Sequence, residues 1–96
     1  MFGLNIKMEV KSEEDFKALR QHIESYRKRF PMFVHDIVKI EHIAEEHIKQ
    51  HSIAMVYYRQ THSRSHLERA QKEIDAINQL LSTVGKIELM ALLSQG

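Results

Sequence analysis

The chain has 96 residues, a formal net charge of +1 and 43% hydrophobic residues, which fits one globular domain, residues 1–96, and excludes a disordered chain. It contains no cysteine, so disulfides, thiolate catalysis and cysteine-ligated zinc sites are excluded. No apolar run reaches the roughly 20 residues of a membrane span, and the first residues do not form a secretory signal. We therefore expect a cytoplasmic protein without a membrane partner.

Positive charge is concentrated in the middle of the sequence. Residues 47–67 contain three Lys or Arg, no acidic residue and four of the seven histidines. Residues 1–46 contain eight basic against nine acidic residues, and residues 68–96 contain three against four. This sorting of charge indicates that the central segment faces an anionic partner or bulk water.

The first elements are a strand and a helix. Apolar and polar residues alternate over residues 2–10, which is typical of a half-buried strand that needs a partner from this chain or from a second copy. Ser12 and the three acidic residues after it predict the start of a helix. Apolar residues then follow at helical spacing: Phe16, Leu19, Ile23, Tyr26 and Phe30. Pro31 ends this helix and can begin the next one.

The second and third helices are the longest. Apolar periodicity predicts a helix over about residues 32–59, with His51 in the middle of its apolar face, although residues 53–58 also fit a strand. Residues 60–65 have the composition of a turn, and Ser65 with Glu68 then predicts a capping box. The third helix should end near Ser82, with Gly85 as a left-handed cap.

These elements predict a mainly α fold, with an N-terminal β-strand followed by three helices, the last two forming an antiparallel hairpin. The alternative is an α+β fold, in which residues 2–10, 53–59 and 86–93 form a small sheet covered by helices. The tail fits either a short helix or a strand. Because Leu89–Leu93 is apolar on all sides and needs burial, we expect a homodimer or another homo-oligomer.

The basic segment would lie at the bend of this hairpin. Arginine binds phosphate in a bidentate manner, tyrosine stacks on unpaired bases, and hydroxyls add donors for an anion. The candidate nucleic-acid-binding residues are Arg59, Arg64, Arg69, Tyr58, His62 and Ser65. We therefore predict a small non-enzymatic accessory protein that binds nucleic acid or a nucleoprotein complex and needs no cofactor. No nucleophile elbow or glycine-rich phosphate loop is present to support catalysis.

Two alternative functions use other features of the sequence. The apolar stripes of the helices and Leu89–Leu93 would suit a protein–protein interaction module, such as an inhibitor or an assembly factor. The four-residue spacing of His47 with His51, and of His62 with His66, would suit a histidine-based metal protein. The geometry of a hairpin separates the two pairs, so His51 is better interpreted as a hydrogen-bonded core histidine.

Overall fold

The structure, a computed structural model, describes residues 8–95. It contains three α-helices: α1 (Phe16–Arg29), α2 (Val34–Thr61) and α3 (Arg64–Gln95). Two short 3-10 turns precede α1 and α2: Glu13–Asp15 and Pro31–Phe33. The prediction of a mainly α fold is confirmed for the described residues.

Helices α2 and α3 form the antiparallel hairpin that the sequence predicts. His62 adopts a left-handed conformation with φ of 55° and ends α2, and its N–H donates to the carbonyl of Tyr58 at 2.7 Å. Histidine is one of the non-glycine residues that tolerate this conformation. The reversal therefore needs only His62 and Ser63 between the two helices. We call residues 55–69 the tip.

Helix α1 covers only the half of the hairpin that lies away from the tip. The ring of Phe16 lies edge-on to His51, with centroids 5.2 Å apart, and Arg20 makes two hydrogen bonds to Glu45, at 2.7 and 2.9 Å. The start of α1 thus lies beside a later part of α2, so the two helices are antiparallel. Three helices meet at the far end, residues 26–39 and 84–94, which we call the open end.

The core is built where the three helices meet. It is formed by large side chains that are almost fully buried: Leu19, Ile23, Ile37, Ile40, Ile74, Ile77, Val84 and Ile87. Towards the tip the buried residues become small, with Ala54 on α2 and Ala70 on α3. Since only two helices are present there, the tip buries less apolar surface and gains less stabilisation from it.

The predicted end of the third helix is wrong. Helix α3 continues through Gly85, which does not have a positive φ, and runs to Gln95. A glycine inside a helix costs about 1 kcal/mol relative to alanine. Val84, Ile87 and Ala91 continue the buried stripe past this point, and their burial outweighs that cost.

The strands of the α+β alternative are not found. Residues 53–59 lie in α2 and residues 86–93 lie in α3, so this alternative is wrong. Of the predicted N-terminal strand, residues 2–7 lie outside the described residues, and residues 8–10 have no regular secondary structure. The side-chain amide of Asn78 donates to the Val10 carbonyl and accepts from the Val10 N–H, both at 2.8 Å. A helix side chain thus supplies the two bonds that a neighbouring strand would offer Val10.

Candidate functional site

Two of the three predicted arginines pair with carboxylates of the same chain. Arg59 Nη2 donates to Glu13 Oε1 at 3.3 Å, and Arg64 Nε lies 3.5 Å from Glu68 Oε1. Both pairs are exposed, and ion pairs of this kind contribute at most about 1 kcal/mol each. They nevertheless place negative charge beside the guanidinium groups, so the tip is less positive than its sequence suggests.

The three arginines have different neighbours. Arg59 faces the side of the hairpin where Glu13 precedes α1. Arg69 lies one helical turn before Glu73, which contacts His47 of α2, so Arg69 shares the face of that pair. Arg69 forms no ion pair with any residue in the described range 8–95. The three side chains therefore differ in how far carboxylates of the described residues compensate their charge.

The other predicted residues of the tip also differ from expectation. Tyr58 is half-buried, with its ring edge-on to His62 at 6.0 Å, while the exposed ring is that of Tyr57, stacked on His66 at 5.4 Å. The Ser65 hydroxyl lies 2.9 Å from that of Ser63. Because α3 already begins at Arg64, Ser65 lies inside the first turn and is not its cap.

The histidines of α2 take separate roles. His51 is buried as predicted, but its Nδ1 has no hydrogen-bond partner, so the expected hydrogen bond of this atom is absent. Burial lowers the pKa of His51, and Glu13 opposes the shift. His47 Nδ1 instead lies 2.7 Å from Glu73 Oε1. Within residues 8–95, no three His, Asp or Glu side chains are arranged to hold a metal ion.

The sequence did not reveal a groove between α1 and α3. The groove encloses a cavity of about 460 Å³, within the range of roughly 300–1,000 Å³ usual for binding pockets. Its walls are mainly apolar and include Met8, Leu81, Leu89 and Leu92. Polar groups at its border come from His22, Asn78, Ser82 and Lys86.

Glu88 forms the floor of this groove and is only 7% exposed. Tyr26 donates its hydroxyl to Glu88 Oε1, and Arg29 Nη2 donates to Oε2 at 3.3 Å. Burial raises the pKa of Tyr26 to about 12, and its bond to Glu88 acts in the same direction. The pKa of His22 is lowered by burial, which Glu88 opposes. Tyr26 therefore stays protonated and links α1 to α3 as a donor.

An apolar surface continues from the groove along the last turns of α3. Four of its residues are exposed: Leu89, Met90, Leu92 and Leu93. The only charged residues between positions 81 and 94 are Lys86 and Glu88, and Glu88 is buried. Contiguous exposed apolar surface of this kind marks binding sites for proteins, ligands or membranes.

The lysine at the border of the groove lacks the partners that two of the tip arginines have. Lys86 is exposed and forms no ion pair with a carboxylate of the described residues. Arg29 is half-exposed and shares its single carboxylate, that of Glu88, with Tyr26. The open end therefore combines an apolar surface with positive charge that the chain does not neutralise.

Comparison with protein families, curated proteins and solved structures finds no match to this chain. None of the helices within residues 8–95 is both long enough and apolar enough to cross a bilayer. The sequence did signal part of the site, because Leu89–Leu93 is apolar on all sides. It could not reveal the groove, since that depends on α1 lying beside α3.

Proposed function

We propose that this chain is a non-enzymatic protein-binding module that holds a segment of another protein in the groove between α1 and α3. The observation that carries the proposal is the run of exposed apolar side chains beside that groove, of which Leu93 is 72% exposed. Exposing such residues to water is unfavourable, and a partner that covers them gains about 25 cal/mol for each Å² of buried apolar surface.

The scaffold beneath this surface is well suited to binding. Val84, Ile87 and Ala91 anchor the same turns of α3 in the core, and the Tyr26–Glu88 bond ties them to α1. A surface that is rigid before binding loses less conformational entropy when a partner docks. Met90 adds a flexible and polarisable side chain that adapts to the shape of the partner.

Nucleic-acid binding through the tip stays a prediction, and the geometry favours it less than protein binding. Two of its three arginines have carboxylate partners within the chain. The apolar surface of α3 has no comparable partner among residues 8–95. The protein-interaction alternative therefore accounts for more of the exposed surface.

Site-specific photo-crosslinking tests the proposal. A photoreactive amino acid replaces Leu92 in one variant and Ile43 in another, since these residues are 44% and 47% exposed and lie on different helices. We expect position 92 to form a covalent adduct with a different polypeptide in the cells that make this protein, and position 43 to form none. Adding Leu89→Asp should suppress the adduct.

The proposal is overturned if position 92 gives no heteromeric adduct while circular dichroism shows a folded protein. Equal adducts from positions 92 and 43 would also overturn it, because nonspecific collisions would then explain the capture.

A further inference from the structure

We infer that the segment held in this groove is an amphipathic helix whose apolar stripe is flanked by Asp and Glu residues. This inference depends on the proposed function and specifies its partner. It follows from the length of the groove and from the charges on its border. It also follows from the poor charge match of two other occupants, a second copy of the chain and the chain's own residues 1–7.

The groove has the dimensions of a helix-binding site. The α3 residues that border it run from Asn78 to Leu92, which corresponds to about 21 Å at about 1.5 Å per residue. A partner helix of about four turns would cover that length. Its apolar side chains, at spacings of three and four residues, would pack against Leu81, Leu89 and Leu92.

The charges on the border of the groove select an acidic partner. Lys86 on α3 borders the groove and forms no ion pair with a described residue, and Arg29 on α1 contacts the groove residue Glu88. The one carboxylate in the groove, Glu88, is buried and already accepts hydrogen bonds from Tyr26 and Arg29. Acidic side chains beside an apolar stripe would therefore meet cations, whereas basic side chains would be repelled.

Two other occupants fit this charge pattern poorly. A second copy docked through the same face would bring its own Lys86 towards that of the first, and like charges placed opposite each other disfavour association. The chain's own residues 1–7 contain one lysine and no acidic residue, so their sequence offers no negative charge to Lys86. The charges on the border of the groove instead favour a segment of a different protein as its occupant.

Two synthetic helical peptides with the same leucine stripe provide the probe, one flanked by glutamate and one by lysine. We expect fluorescence anisotropy at low salt to show that the glutamate peptide binds the full chain at least about fivefold more tightly, which corresponds to about 1 kcal/mol from paired surface charges. The variant Lys86→Glu should reverse this preference. The matched control Lys49→Glu, an exposed lysine of α2 outside the groove and the open end, should keep it.

The outcomes separate this inference from the proposed function. If both peptides bind equally and Leu92→Asp abolishes binding, the groove binds proteins but the acidic partner is wrong. A heteromeric adduct from position 92 whose sequenced segment lacks Asp and Glu leads to the same conclusion. If neither peptide binds, or if position 92 captures residues 1–7 or a second copy, the inference is overturned. Absence of any heteromeric adduct from position 92 overturns the function as well.

Discussion

The tip and the open end both combine exposed apolar side chains with cations, but they differ in what surrounds them. At the tip, Arg59 and Arg64 lie beside carboxylates, and only two helices pack together. At the open end, Lys86 lies without a described carboxylate partner, and α1 completes a core of three helices. Two of the three arginines at the thinly packed tip are thus compensated by carboxylates, whereas Lys86 at the well-packed open end is not.

This difference shows that a run of basic residues in a sequence does not locate the free positive charge of a fold. Glu13 lies far from Arg59 along the chain and reaches it only because α1 packs antiparallel to α2. The free charge of a surface must therefore be judged from the folded structure, in which acidic residues from distant parts of the chain pair with basic ones. The comparison also implies that disruption at the open end should exceed disruption at the tip.

Truncating the core where the three helices meet should give the largest effect. Ile77 is completely buried among the three helices, and Ile77→Ala should lower the free energy of unfolding by about 2–5 kcal/mol, through lost burial and the cavity left behind. Urea denaturation measures this loss. Met55→Ala at the tip is the control, and its partly exposed side chain should give a clearly smaller loss. Equal losses would contradict the packing difference between the two ends.

Removing one hydroxyl from each end should give the next largest difference. Tyr26→Phe leaves Glu88 Oε1 buried without its donor, which should cost about 1–3 kcal/mol of unfolding free energy. Tyr57→Phe at the tip is the matched control, because Tyr57 is exposed and water can solvate its hydroxyl. Chemical denaturation of both variants compares them directly. Similar values for the two would mean that the link between α1 and α3 contributes no stability.

The buried histidine of α2 that packs against Phe16, His51, should make stability depend on pH. Burial lowers the pKa of His51 in the folded state, so protons bind the unfolded chain more tightly. The stabilisation is then present above the unfolded pKa of about 6.5 and is lost as pH falls from there through the folded pKa. Thermal unfolding between about pH 8 and pH 5 should show a falling melting temperature.

The replacement His51→Leu should flatten part of that dependence. Burial also lowers the pKa of His22, so His22 makes stability fall with pH in the same direction. Part of the fall in melting temperature should therefore remain in His51→Leu. Glu13 and Glu73 favour the charged form of His51, and Arg59 opposes it. His42→Leu provides the control because His42 is exposed. An unchanged pH profile in His51→Leu would show that His51 does not cause the effect.

The sequence predicted those parts of the structure that depend on neighbours along the chain. Periodicity identified all three helices and the hairpin, because apolar residues at helical spacing share one face only when the segment is a helix. It placed the end of α3 too early, since Gly85 was interpreted as a cap while the buried stripe continued to Ala91. The groove and the buried Glu88 were missed because both require α1 and α3 to meet, and no local pattern encodes that contact.

Replacing Arg59, Arg64 and Arg69 together by alanine should have the smallest effect on stability. Two of them form exposed ion pairs of at most about 1 kcal/mol each, and Arg69 forms none with the described residues, so the unfolding midpoint in urea should move little. The same variant decides the nucleic-acid hypothesis. Phosphate contacts by these arginines would make log K fall by roughly 0.7–0.9 per phosphate with log salt, and the triple variant would lose binding measured at about 50 mM salt. Unchanged nucleic-acid binding by the triple variant would show that these arginines do not hold phosphate. The open end would then be the favoured binding surface.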